Sequence, residues 1–258
     1  MRNHALRCVV VFIVLAVSSA AFAQQGGDAR LEAIDQLVSY PENDFSAEYT
    51  ITQYRPGEGA SAIKAFVFRR DSEDTYTILI WEPEVDRGKG YLKIGNVLWL
   101  YDPADRRFST TSARDRFQNS NARNSDFTQS TLADDYRIID ETREQLGAYD
   151  TIVYELEAIS DGVTFPRMKI WVDSDGLVRK FEDYSLSGQH MRTTAIPTYQ
   201  RLESKYVPIE VVIVEELVGR EVNGQFRNER TVITVARPSL GELPDMVFTQ
   251  AYLERVSN

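Results

Sequence analysis

The sequence predicts an α+β fold dominated by β-structure: a large, curved antiparallel sheet with a few helices. Three observations predict it. Apolar residues alternate with polar ones in run after run, the period of a half-buried strand. Turn residues separate the runs at short intervals. Few helical patterns stand between consecutive runs, which disfavours a parallel sheet with its long crossovers.

The elements follow in order. Residues 28–40 form the first helix, because Leu31, Ile34, Leu37 and Val38 recur at helical spacing, Asp28 can cap the start and Pro41 stops it. The period then changes to two: Phe45, Ala47, Tyr49 and Ile51 alternate with Ser46, Glu48, Thr50 and Thr52. Further strand-like runs cover roughly 61–70, 74–82, 89–94, 97–102, 136–145, 149–159, 165–173, 177–186, 191–203, 207–219 and 225–236. Gly95-Asn96 and Asn223-Gly224 suit two-residue hairpin loops, where positive φ is required. Two stretches interrupt the meander. Residues 112–135 are polar, rich in Ser and Asn, with a short helix expected near 127–135. Residues 239–258 hold Pro244 and then a terminal helix or edge strand.

Residues 1–23 read as a secretory signal peptide. Arg2 and Arg7 open it, Cys8 to Val17 is apolar, and Ala21-Phe22-Ala23 places small residues before a cut at Gln24. Its apolar core falls far short of the ~20 residues a membrane anchor needs. Removing it takes two of the 29 basic residues and none of the 39 acidic ones, leaving 235 residues with a net charge of −12. An acidic chain without a basic cluster disfavours nucleic acid and anionic membrane surfaces as partners. Cys8 leaves with the leader, so the mature chain has no thiol, no disulfide and no cysteine-held zinc. The expected organisation is a single domain over 24–258, exported to the periplasm.

Several strands are apolar on both faces: Ala65 to Phe68, Ile78 to Trp81, Val97 to Tyr101 and Val211 to Val214. Such strands need a cover on each face or an apolar cavity to line. Motifs for chemistry are weak by comparison. His190, the one histidine left after cleavage, sits by Gly188-Gln189 at a hairpin tip, where an exposed turn residue is the better reading than a catalytic base. Asp173-Ser174-Asp175-Gly176 resembles the end of a calcium loop, but Trp171 stands where an oxygen ligand is required, so a hairpin turn accounts for it better. Paired glycosidase carboxylates could still be assembled from distant strands, so a hydrolase stays open as a minor alternative.

Three segments in order carry a resemblance: the helix followed by NDFSAEYTITQ (43–53), SAIKAFVFRR (61–70) before TYTILIW (75–81), and IGNVLWLYDP (94–103). With SDFTQSTLADDY (125–136), they resemble the LolA family of periplasmic lipoprotein carriers, in the larger branch described as outer-membrane lipoprotein-sorting proteins. The resemblance implies an incomplete antiparallel β-barrel closed on its concave side by a helical lid. It implies a carrier that shields acyl chains, with no catalytic residue, no metal and no cofactor. Its cargo would be an acylated lipoprotein or a free lipid, its donor an inner-membrane exporter or transporter, and its form a monomer without nucleic acid. The alternative is an RseB-like lipid-sensing regulatory module on the same half-barrel.

On this reading the cavity wall is drawn from Phe45 and Tyr49, then Phe66 and Phe68, then Tyr76, Ile78 and Ile80, with Leu98 and Leu100 beyond. The resemblance also implies a lid-gating arginine at the end of the second strand, a position matched by Arg70 or, as the alternative, Arg69, followed by Asp71 in place of the family's proline.

Overall fold

The computed structural model describes residues 27–257, so the expected leader, 1–23, lies outside the described residues. Thirteen strands form one antiparallel sheet that does not close into a barrel. Helix α1 (Ala29–Val38) precedes strands β1 (Phe45–Arg55), β2 (Gly59–Arg70), β3 (Thr75–Glu82), β4 (Gly90–Ile94), β5 (Val97–Asp102) and β6 (Arg107–Thr111). Helix α2 (Leu132–Asp135) then leads to β7 (Tyr136–Leu146), β8 (Tyr149–Ala158), β9 (Arg167–Val172) and β10 (Val178–Tyr184). Strands β11 (His190–Leu202), β12 (Lys205–Val222) and β13 (Gln225–Leu240) complete the sheet, and helix α3 (Gln250–Val256) ends the chain. No helix among the described residues is long and apolar enough to cross a membrane.

The strand order explains where the interior lies. It runs β6-β5-β4-β3-β2-β1-β13-β12-β11-β10-β9-β8-β7. The chain starts at the centre with β1 and steps outward to one edge at β6. It resumes at the opposite edge with β7 and steps inward until β13 pairs with β1. Residues 112–131 and α2 must therefore cross from edge to edge, and they do so over one face.

That face holds two clusters. In the first, Phe117 and Phe127 of the crossing segment are buried among Phe45, Ile51, Ile78 and Ile80. Their rings lie 4.7 Å apart, and Phe117 meets Tyr91 at 4.8 Å. In the second, Leu31 and Ile34 of α1 pack on Leu132, Tyr154, Leu156 and Ile170. Buried polar bonds pin the crossing segment: Asn121 N–H donates to Gln53 Oε1 at 2.9 Å and to Thr231 Oγ1 at 3.0 Å. Gln118 Nε2 donates to the Tyr91 hydroxyl at 2.9 Å.

The opposite face of β3–β5 is covered by α3, whose Leu253 is buried with Leu92 and Tyr101. Gly90 makes this contact possible, because a Cβ there would lie 2.5 Å from a Leu253 methyl. Helix α1 starts as expected: Asp28 caps it by accepting from Arg30 N–H at 3.0 Å. The hairpin loops are also as expected, with φ of +54° at Gly95, +55° at Asn223 and +75° at Gly224.

Two elements differ from the sequence expectation. Strand β6 has one apolar residue, Phe108, in RFSTT, so no alternation marks it; ladder bonds to β5 hold it. The helix expected over 127–135 is two separate turns, a 3-10 turn at Asn124–Phe127 and the single turn of α2. Of the two readings of the carboxy-terminal segment, terminal helix or edge strand, the helix is the one formed.

Candidate functional site

Alternation along β10–β13 turns Phe181, Thr194, Ile196, Val211, Ile213, Ile233 and Val235 towards the same face as the core. The covering segments do not fill the space above them. A cavity of about 270 Å³ remains. Its roof is Ile34 and Val38 of α1 with residues 125–132 of the crossing segment, and its floor is the sheet. The floor is mainly apolar, the crossing segment adds Ser125, Thr128, Gln129 and Ser130 to the roof, and charged groups enter at two places.

The first polar place is Arg69, whose side chain is 12% exposed. Its Nε sits 2.6 Å from Asp71 Oδ1. Its Nη1 donates to the Thr128 carbonyl and its Nη2 to the Val38 carbonyl, each at 3.3 Å. Val38 is the last residue of α1, where a cation also meets the negative end of the helix dipole. The guanidinium lies over Tyr40, 4.9 Å from its ring centre. Asp71, where the resemblance implied proline, thus serves as the counter-ion, and it also accepts from Tyr40 N–H at 2.7 Å. Arg69 thus bonds both roof segments to the sheet, beside Lys205 Nζ on the Gln36 carbonyl of α1 at 2.6 Å.

The second polar place is a buried cluster around Arg192. Its Nε donates to Asp183 Oδ2 at 2.8 Å and its Nη1 to both Asp126 oxygens at 3.0 Å. Arg123 and Glu215 lie beside it, 3.8 Å apart. Three carboxyls thus face two guanidiniums. Burial pushes the Asp183 and Glu215 carboxyls up from their ordinary range, against the pull of the arginines. The roof is joined internally as well. Asp35 of α1 accepts from Leu132 N–H at 3.1 Å and Ala133 N–H at 2.9 Å, and burial raises its carboxyl too.

The structure separates the sequence candidates into three groups. Tyr49 and Arg69 line the cavity. Phe45, Tyr76, Ile78, Ile80 and Leu98 share its face of the sheet but are packed solidly against Phe117 and Phe127, and Leu100 packs on the same cluster. Phe66 and Phe68 alternate with Ala65 and Val67 and so emerge on the other face. There Phe66 stacks on Trp81 at 5.8 Å, and Phe68 meets Tyr252 of α3 edge-on at 6.4 Å. Arg70 also turns away from the roof. It pairs with Asp44 and Asp245 at 2.8 Å each and lies over Phe248.

Residues from β10–β13 were missed because their strands read as ordinary core. Val211 to Val214, apolar on both faces, was the one signal for that half. His190 opens β11 and stacks on Tyr184 at 5.0 Å; its Nε2 lies 3.1 Å from Thr193 Oγ1. Asp173 holds a turn: its Oδ1 accepts from Asp175 and Leu177 N–H, and its Oδ2 from Arg179.

With this geometry in hand, known proteins can be compared. A family model described as uncharacterized protein-like matches residues 72–255, and the chain belongs to that family. No curated protein sequence matches the chain. Among solved structures it is similar to a LolA superfamily protein from Nitrosomonas europaea, at 23% identity over 88% of this chain and 99% of that one, with a TM-score of 0.72. It is also similar to a domain assigned to outer membrane lipoprotein sorting in Vibrio parahaemolyticus, at 16% identity over 89% and 98% of the chains, with a TM-score of 0.74. A DUF1329 family protein from Desulfovibrio piger matches at 17% identity over 87% and 96%, with a TM-score of 0.74. These likenesses establish the fold, which is that of the LolA superfamily.

Proposed function

We propose that this protein is a periplasmic carrier that holds a hydrocarbon chain of a lipid or lipoprotein in the cavity beneath α1 and residues 125–132. The observation that carries this reading is an apolar hollow roofed by two segments that one buried arginine ties to the sheet. A carrier must release its cargo. A roof held by a few polar bonds can open, and an empty state that closes on itself competes with the ligand. Arg69 is the latch in this scheme, and α1 with 125–132 is the lid.

At about 30 Å³ per water-sized group, the cavity takes one alkyl chain of roughly nine methylenes. At about 0.8 kcal/mol per methylene, burying that chain contributes roughly 7 kcal/mol before the costs of association. That supports weak, reversible binding. A cargo with several chains would require the roof to lift. Export by the leader at 1–23, a single domain over 24–258, a monomeric state and delivery from an inner-membrane exporter complete the proposal, and none of these steps calls for a catalytic group.

The test is uptake of a fluorescent fatty-acyl probe by the purified mature chain. Saturable uptake that falls at least about tenfold when Ile233 is enlarged to Trp supports the reading. No uptake, or uptake indifferent to that substitution, overturns it.

A further inference from the structure

The cavity is not uniformly greasy, and its polar end defines a headgroup. Asp183 is 1% exposed and Thr194 is 9% exposed, and both line the cavity. Each keeps one oxygen without a hydrogen-bond partner: Asp183 Oδ1 and Thr194 Oγ1. Leaving buried polar atoms unpaired is costly, and here one is an acceptor and the other a hydroxyl that can donate. Their positions are linked by the sheet. Asp183 of β10 faces Arg192 of β11, and Thr194 follows two residues later on the same side. Such diagonal neighbours stand about 7–8 Å apart at their Cβ atoms, a gap that one small polar group can bridge.

The charges around this gap select its chemistry. Both guanidiniums that line the cavity are already paired, Arg192 with Asp183 and Asp126, and Arg69 with Asp71. A carboxylate or phosphate placed here would meet carboxylates without gaining a free cation. A neutral group that both donates and accepts meets no such penalty.

Resting on the reading of the cavity as a hydrocarbon site, we propose that its ligand is a single-chain amphiphile with a neutral, hydroxyl-bearing head, whose hydroxyl accepts from Thr194 Oγ1 and donates to Asp183 Oδ1. Fatty alcohols and monoacylglycerols share this chemistry. Fatty-acid anions and phospholipid heads do not.

The experiment compares 1-decanol with 1-methoxynonane, an ether of matching length that cannot donate. Each displaces the apolar dye N-phenyl-1-naphthylamine from the mature protein. The alcohol is expected to bind about tenfold more tightly than the ether, the worth of one well-placed hydrogen bond. Thr194→Val should weaken alcohol and ether alike, by up to about tenfold, because both accept from the threonine hydroxyl, and Thr194→Ser should keep both affinities; Asp183→Asn should narrow the alcohol's preference, which rests on donation to that carboxylate. Should Thr194→Val fail to fold, Thr194→Ala carries the same comparison. Equal binding of alcohol and ether, or affinities for both unmoved by Thr194→Val, overturns the headgroup assignment while leaving the hydrocarbon site standing. Failure of dye, alcohol and ether to bind at all overturns both.

Discussion

Replacing Arg69 with methionine should unlatch the roof at a calculable cost. Methionine keeps most of the apolar stem but removes the guanidinium. Asp71, whose side chain is 1% exposed, then retains only the Tyr40 N–H among the partners described above. The carbonyls of Thr128 and Val38 lose their shared donor. Breaking a buried pair by removing one partner costs about 3–5 kcal/mol, mostly because the other charge is stranded. For a domain of this size each kcal/mol lowers Tm by about 2–4 °C, so a fall of roughly 6–20 °C is expected. The double variant Arg69→Met with Asp71→Asn should recover more than half of it, since no charge is stranded. Hydrogen exchange localises the effect: amides at 125–133 should lose protection in both variants, while those of β12 and β13 keep theirs. An Arg69→Met protein with unchanged Tm and unchanged exchange at 125–133 would refute the latch.

Other outcomes follow from the same geometry. Phe117→Ala should cost about 3–5 kcal/mol by denaturant unfolding, because Phe117 is fully buried at the centre of the crossing segment. Phe66→Ala should leave acyl-probe affinity within about twofold, because Phe66 lies on the far face; a larger loss by fluorescence titration would place the site elsewhere. The Arg70 guanidinium holds the Asp44 carboxyl below its usual range. That pair's stability is therefore present above the ordinary carboxylate pKa of about 3.9 and is lost as pH falls through the lower folded value. Arg70→Gln should flatten this acid limb in thermal melts between about pH 5 and 2. Burial raises the Asp183 carboxyl, so its contribution has the opposite sign: present below about pH 3.9 and lost as pH rises through the folded value. Asp183→Asn should remove that decline, as a comparison of melts from pH 4 upward will show.

Much of the fold was legible because it is built from local pattern. Twelve of the strands announce themselves by alternation or by flanking turns, and Asp28 with Pro41 brackets α1. Strand β6 escaped because a five-residue polar edge strand has no pattern to read. The candidate site was legible only in kind. Apolar strands signal a buried face, but they do not say which stretch of that face is filled. What decides it is the crossing of 112–135 from edge to edge, a long-range event that no periodicity encodes. It seats Phe117 and Phe127 over β1–β5 and turns Phe45, Ile78 and Ile80 into solid core, leaving the hollow over β10–β13. The resemblance pointed to an arginine at the end of β2. The choice between Arg69 and Arg70 needed the strand's face, since successive side chains point opposite ways.

The most direct measurement is isotope-edited NOE spectroscopy on protein carrying 13C-labelled Ile, Leu and Val methyls, loaded with an unlabelled alkyl ligand. The account predicts cross-peaks from chain protons to the methyls of Ile34, Ile196, Val211 and Ile233, and none to Ile78 or Ile80. Cross-peaks confined to Ile78 and Ile80, or a ligand seen only at the outer face by Phe66 and Trp81, would contradict it.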